Sequence, residues 1–210
     1  MKKKFYLALA SLFLYFPLLT ASPLLAGDEA SITSLEGKAN ILRNGQTLPA
    51  RMGLPLEVGD EIQTESGGVV DFSMNSVAGG RVLAQSQCKL SDAKTESMAV
   101  RLNKGKLLLN LDKLSAKSSF KVETPTAVAV VRGTQFSVQV DAFKIENPTT
   151  TFAVRDGDIE VFTPATHETF TLHQGQAIDI PKELIKTPSV RQAIGNELRT
   201  LEQSSLVKTC

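Results

Sequence analysis

The chain has 210 residues, enough for one domain of ordinary size or at most two small ones. Its formal net charge is +1, so the composition lacks the basic excess expected of a nucleic-acid binder. With no tryptophan and only two tyrosines it can hardly assemble an aromatic platform for sugars, and its ten phenylalanines must supply most of the aromatic core.

The N-terminus reads as a secretory signal peptide. Lys2, Lys3 and Lys4 form a positive region, an apolar run follows from Phe5 to Leu19, and Pro17 and Pro23 break it near its end. The run is shorter than the roughly 20 apolar residues a membrane span needs. A cut after Ser22 would place Pro23 next to the scissile bond, so cleavage between Ala26 and Gly27 is the better site. No cysteine lies near that cut, which leaves lipid attachment unsupported. An uncleaved anchor is the alternative. The expected organisation is therefore a signal peptide over 1–26, a β domain over 27–182, and a helix with a tail over 183–210. The expected location is the periplasm or the outside of the cell, with no membrane span after cleavage.

Export carries the mature chain into an oxidising compartment. Its two cysteines are Cys88 and Cys210. A disulfide between them would close a very long loop and use the last residue, where chains fray. The other reading is a buried Cys88 and an exposed terminal thiol.

From about Ala30 to Ile180 short alternating segments are separated by turn signals, the pattern of an all-β domain. Ala39 and Ile41 precede Asn44-Gly45, a strong hairpin dipeptide. Val70, Phe72 and Met74 share a face, as do Met98, Val100 and Leu102. Asn103-Lys104-Gly105 reads as a turn leading to Leu107, Leu109 and Leu111. Phe120 and Val122 run into Thr124-Pro125, and Ala127 to Val131 reads as a strand buried on both faces. Phe136, Val138 and Val140 make another face; Phe152 and Val154 precede Asp156-Gly157-Asp158, with Ile159 and Val161 beyond. Gly37, Gly59, Gly105, Gly133, Gly157 and Gly175 each precede an alternating segment at uneven intervals, as turn residues that need positive φ. The fold expected is mainly β: a rolled sheet, an irregular β-solenoid or a sandwich, of antiparallel character. At the end Thr187 caps and Pro188 opens a predicted amphipathic helix reaching Leu206, with Val190, Ile194, Leu198 and Leu201 on one stripe that must bury against the β domain or a partner.

The segment Thr124-Pro125-Thr126-Ala127-Val128-Ala129-Val130-Val131-Arg132-Gly133-Thr134-Gln135-Phe136 resembles the hallmark of FecR domains, in which a Thr-Pro and a small apolar run lead to Arg-Gly-Thr-x-Phe. Gly59-Asp60-Glu61-Ile62-Gln63-Thr64 upstream and Arg155-Asp156-Gly157-Asp158-Ile159 downstream are similar to flanking elements of that family, in the same order. For the sigma-regulator members the resemblance implies an exported receptor-sensing domain joined through a membrane span to a cytoplasmic anti-sigma part. Here only Met1 to Lys4 precede the apolar run, so the expectation is the exported module alone. On physical grounds Pro125 ends a ladder, Gly133 allows a bend, Thr134 holds nearby backbone, and Phe136 opens an inward face. Arg132 is the one charge in the stretch; its guanidinium would clamp a carboxylate such as Asp156 or Asp158, or recognise a partner.

Catalytic chemistry is sparse. His167 and His173 would lie about 20 Å apart on one extended strand, with no third ligand at metal spacing. No nucleophile elbow and no phosphate-binding glycine loop appears. No enzyme activity, cofactor or metal is expected. The leading reading is a non-catalytic envelope module binding a protein or peptide. The alternatives are an envelope scaffold that binds polysaccharide, and a hydrolase working through paired carboxylates, whose separation a sequence does not show.

Overall fold

The computed structural model describes residues 30–141, 147–183, 187–195 and 197–198. The predicted signal peptide, the second half of the predicted C-terminal helix and Cys210 lie outside the described residues.

The described chain is mainly strand. In order it forms β1 (Ala30–Glu36), β2 (Ala39–Arg43), β3 (Gln46–Pro49), β4 (Pro55–Leu56), β5 (Glu61–Thr64) and β6 (Val69–Met74). Then come β7 (Ala78–Val82), β8 (Gln87–Asp92), the long β9 (Ser97–Leu111), β10 (Ser119–Glu123), β11 (Val128–Val131) and β12 (Gln135–Asp141). The last are β13 (Thr149–Asp156), β14 (Ile159–Thr163), β15 (Glu168–Leu172), β16 (Gln176–Pro181) and β17 (Arg191–Gln192).

The pairings form one large, open, mixed sheet. It divides into two layers that share β9. Layer A runs β4-β1-β6-β7-β9-β12-β13-β16-β17. Layer B runs β3-β2-β5-β8-β9-β10-β11-β14-β15. Beyond the outermost pairs β4-β1 and β3-β2, strand order follows chain order in both, because hairpins are laid down into one layer and then the other. All pairs are antiparallel except β9 with β10.

Period-two burial builds the core between the layers. Layer A contributes Ile32, Phe72, Leu107, Leu109, Phe136, Phe152 and Ile178; layer B contributes Ile41, Ile62, Leu102, Phe120, Val131 and Val161. Asn44 and Gly45 close the β2–β3 hairpin with positive φ at both residues, as a two-residue primed turn requires.

Three sequence expectations change. Asn103-Lys104-Gly105 is not a turn but a bend inside β9. Up to Lys104 the strand pairs with β8 in layer B; from Gly105 it pairs with β12 in layer A. Gly105 has φ +87°, and a Cβ there would lie 2.6 Å from Ser86 Cα. The segment predicted to be buried on both faces alternates instead: Ala129 and Val131 face the core while Val128 and Val130 are half-buried. Finally, the helix does not begin at Pro188. Arg191 and Gln192 pair with Ala177 and Gln176, and Ala193 N–H donates to Gly175 O at 2.7 Å. Ladder bonds to the otherwise open edge of β16 outweigh a local capping signal there.

Candidate functional site

The motif residues are placed at the joints of this architecture. Asp60 is 1% exposed and would be costly as a lone charge. Arg43 at the end of β2 forks onto it, Nε to Oδ1 at 2.8 Å and Nη2 to Oδ2 at 2.6 Å, and the Glu57 N–H adds a third bond at 2.9 Å. The hydrogen bonds that Arg43 donates to Asp60 raise its pKa above the ordinary value, against the opposing effect of burial. Thr64, the end of the same motif, donates to Leu83 O at 2.6 Å and accepts from Ser86 N–H at 2.9 Å, locking the β7–β8 turn onto β5. Arg43 carries no motif signal, since it lies 17 positions from Asp60.

Thr124 closes the β10–β11 hairpin through Ala127 N–H to Thr124 Oγ1 at 3.0 Å and Thr124 N–H to Ala127 O at 2.9 Å. Thr126 then reaches the other layer: its hydroxyl donates to Thr150 of β13 at 2.7 Å, and Thr150 donates to Thr124 at 3.1 Å. Three buried hydroxyls thus tie the layers at one end. Pro125 is the exposed tip of this turn.

Arg132-Gly133-Thr134 is the corner where the chain leaves β11 in layer B for β12 in layer A. Gly133 has φ +124°, and a Cβ on it would approach Lys113 Cα to 2.8 Å. Leu114 N–H donates to Arg132 O at 3.2 Å and Leu111 N–H to Thr134 O at 3.2 Å. On the other side Thr134 Oγ1 donates to Asp158 O at 2.9 Å, so its bond is long-range rather than local. Phe136 follows, fully buried. Arg132 itself is exposed; among the described residues its side chain makes no ion pair, and it clamps neither Asp156 nor Asp158. Asp158 instead meets His173 Nδ1 at 2.7 Å, both groups lying well out in solvent.

Little here resembles a reaction centre. Among the described residues no His, Cys, Asp and Glu gather as a metal cluster. The buried carboxylates are already taken: Asp60 by Arg43, and Asp71 by Arg81 at 2.7 and 2.8 Å. Cys88 is buried and unpaired, and burial pushes its thiol up to about 12, which leaves it protonated and poorly nucleophilic. His167 sits in the β14–β15 turn with φ +59°, its ring edge-on to Phe162. Phe162 is the only exposed aromatic among the described residues, too little for a sugar platform. No described helix is long and apolar enough to cross a membrane.

What is open is strand edge. The outermost strands differ sharply. β4 has two residues and begins with Pro55, β17 has two residues, and β3 ends in Pro49. Shortness and proline are ordinary ways of blunting an edge. β15, Glu168-Thr169-Phe170-Thr171-Leu172, has five strand-forming residues, no proline, and β14 as its one ladder partner among the described residues.

Taken together, the geometry defines an open two-layer β domain whose signature residues are joints between hairpins. Residues 60–160 match the family model described as FecR protein. Among solved structures, two crystal structures of a provisionally assigned anti-sigma factor from Parabacteroides distasonis ATCC 8503, at 2.50 and 1.65 Å, share the fold. Each gives a TM-score of 0.57 at 17% identity, over 68% of this chain and 64% of that one. The chain thus spans 64% of the length of those structures, and the likeness is one of fold. No curated protein matches the chain.

Proposed function

We propose that the chain is a non-catalytic, exported signalling module of the bacterial cell envelope that receives an extended peptide from a partner protein along the free edge of β15. One observation carries this reading: among the described residues, β15 is the one five-residue, proline-free outer strand, and the other outer strands are shorter or carry proline. A row of unsatisfied N–H and C=O groups is a template for an added strand, with main-chain bonds supplying affinity. The FecR domain and the anti-sigma-factor fold likeness support a regulatory role.

Adjacent residues in a strand aim their N–H groups to opposite sides, so of Glu168→Pro and Thr169→Pro one removes an outward donor and spares the β14 ladder. The variant that keeps the native circular dichroism spectrum and melting temperature is the test. Capture of an envelope protein by the wild-type domain, lost with that variant, is the expected result. Equal capture by both would refute strand addition at this edge.

A further inference from the structure

A strand added beside β15 meets side chains on both faces of layer B. On the inner face stand Glu168, Phe170 and Leu172, in register with Thr163, Val161 and Ile159 of β14. Leu172 is fully buried, whereas Phe170 packs on the core and stays half-buried, since no strand flanks it beyond β15 among the described residues. An apolar side chain placed beside Phe170 would extend the core by one strand.

On the outer face β15 presents only Thr169 and Thr171, both exposed. Behind Thr169 on β14 lies Phe162, 38% exposed, and behind Thr171 lies Glu160, also exposed. An incoming strand would sit two strand spacings from β14, about 10 Å. Threonine is too short to fill that gap. A long side chain lying over Thr169 or Thr171 therefore reaches toward the ring or the carboxylate.

Charge selects the kind of side chain. From Asp156 to Leu172 the sequence holds four carboxylates, Asp156, Asp158, Glu160 and Glu168, and no lysine or arginine. Asp158 is matched by His173, and two strands away Glu123 is matched by Arg101 at 3.3 Å. Glu160 and Glu168 have no ion-pair partner among the described residues. Charge on an edge strand guards it against unwanted pairing. Here it disfavours an acidic strand, β15 of a second copy included, and favours a cationic one. Lysine or arginine beside Glu168 and over Glu160 meets opposite charge, and over Phe162 it meets a ring that attracts cations.

We propose that the peptide received at β15 is basic and amphipathic: an apolar residue beside Phe170, a lysine or arginine beside Glu168, and cationic side chains on the outer face over Phe162 and Glu160. This gives the partner chemistry of the strand-addition reading and rests on it.

The test uses the mature chain and two end-labelled probes, Lys-Lys-Val-Lys-Val-Lys-Lys and Glu-Glu-Val-Glu-Val-Glu-Glu. Each reads the same in both directions, so parallel and antiparallel docking present the same pattern. Fluorescence anisotropy at low ionic strength should show the lysine peptide binding about tenfold or more tightly than the glutamate peptide. The formal net charge of +1 would by itself favour the glutamate peptide, so this order reports the local surface. The difference should shrink in 1 M salt, where charges are screened beyond about 3 Å. Glu160→Lys with Glu168→Lys should reverse the order. The proline variant of β15 that keeps the native melting temperature should bind neither peptide. Equal affinities that vanish together in the proline variant would leave strand addition standing and overturn the basic partner. A lysine preference that survives the double charge reversal would overturn it too. Lysine-peptide binding that persists in the proline variant, or no binding of either peptide to the wild type, would sink both readings.

Discussion

At the scale of single residues, the motif works through what each side chain would cost if left alone. Asp60 is buried and ionic, so its arginine is not optional. Removing one partner of a buried pair strands the other charge, at about 3 kcal/mol or more. Arg43→Met should therefore lower the melting temperature by roughly 10 °C in a domain of this size. The double variant Arg43→Met with Asp60→Leu should recover much of that loss, because no charge is then stranded; thermal melts of the three proteins decide it. Neighbouring positions in the corner should behave oppositely to one another. Gly133→Ala forces a side chain into a left-handed backbone 2.8 Å from Lys113 Cα, and should cost about 2 kcal/mol or more in urea unfolding. Arg132→Ala removes an exposed side chain with no ion pair among the described residues and should change stability by about 0.5 kcal/mol or less. A large loss with Arg132→Ala would mean that the guanidinium is structural after all. Cys88, with its thiol pushed up to about 12, should resist alkylation at neutral pH until the protein unfolds.

At the scale of elements, the parts legible in the sequence are those decided locally. Asn44-Gly45 dictates its turn from two residues, and the apolar alternation around Phe72, Phe120, Phe136 and Phe152 dictates which side of each strand is buried. What stayed hidden depends on partners far along the chain. Asn103-Lys104-Gly105 carries the same local signal for a turn as for a bend, and only the close approach of Ser86 selects the bend. Thr126 and Thr150 are 24 positions apart, and neither has a periodicity that would join them. The openness of β15 is a property of strand order, which no window of sequence contains. The ion cluster of Arg191 with Asp179 and Glu197 adds a pH dependence at this scale. Bonds from Arg191 hold the Glu197 carboxyl below its ordinary value of 4.5. The Asp179 carboxyl, despite desolvation, is held below 3.8 by Arg191 and Thr151. Both are depressed carboxylates, so the stability they lend is complete above about pH 5 and fades as pH falls through their folded values. The melting temperature should therefore fall more steeply between about pH 5 and pH 3 in the wild-type protein than in Arg191→Met, which lacks the cluster. Parallel pH profiles for the two proteins would show that the cluster lends no stability.

At the scale of the whole molecule, β9 decides how the two layers relate. It is the central strand of both, paired with β8 and β10 in one and with β7 and β12 in the other, and the layers face each other across one core. Neither layer can lose β9 without being split in two, so neither should unfold alone. Leu107 tests this because it sits just past the bend, fully buried, opposite Val82 and Val138 of layer A. Leu107→Ala removes buried methyl groups and leaves a cavity, at about 2–5 kcal/mol. If the layers were separate cooperative units, the loss would appear only in layer A, and native-state hydrogen exchange would show β13 weakened with β14 unchanged. If β9 couples them, the slowest amides of β13 and of β14 should lose protection by the same factor, although β14 belongs to layer B and pairs with β11 and β15. The coupled outcome is expected, because the bend at Gly105 keeps the two halves of β9 in one continuous strand and transmits the loss from one ladder to the other.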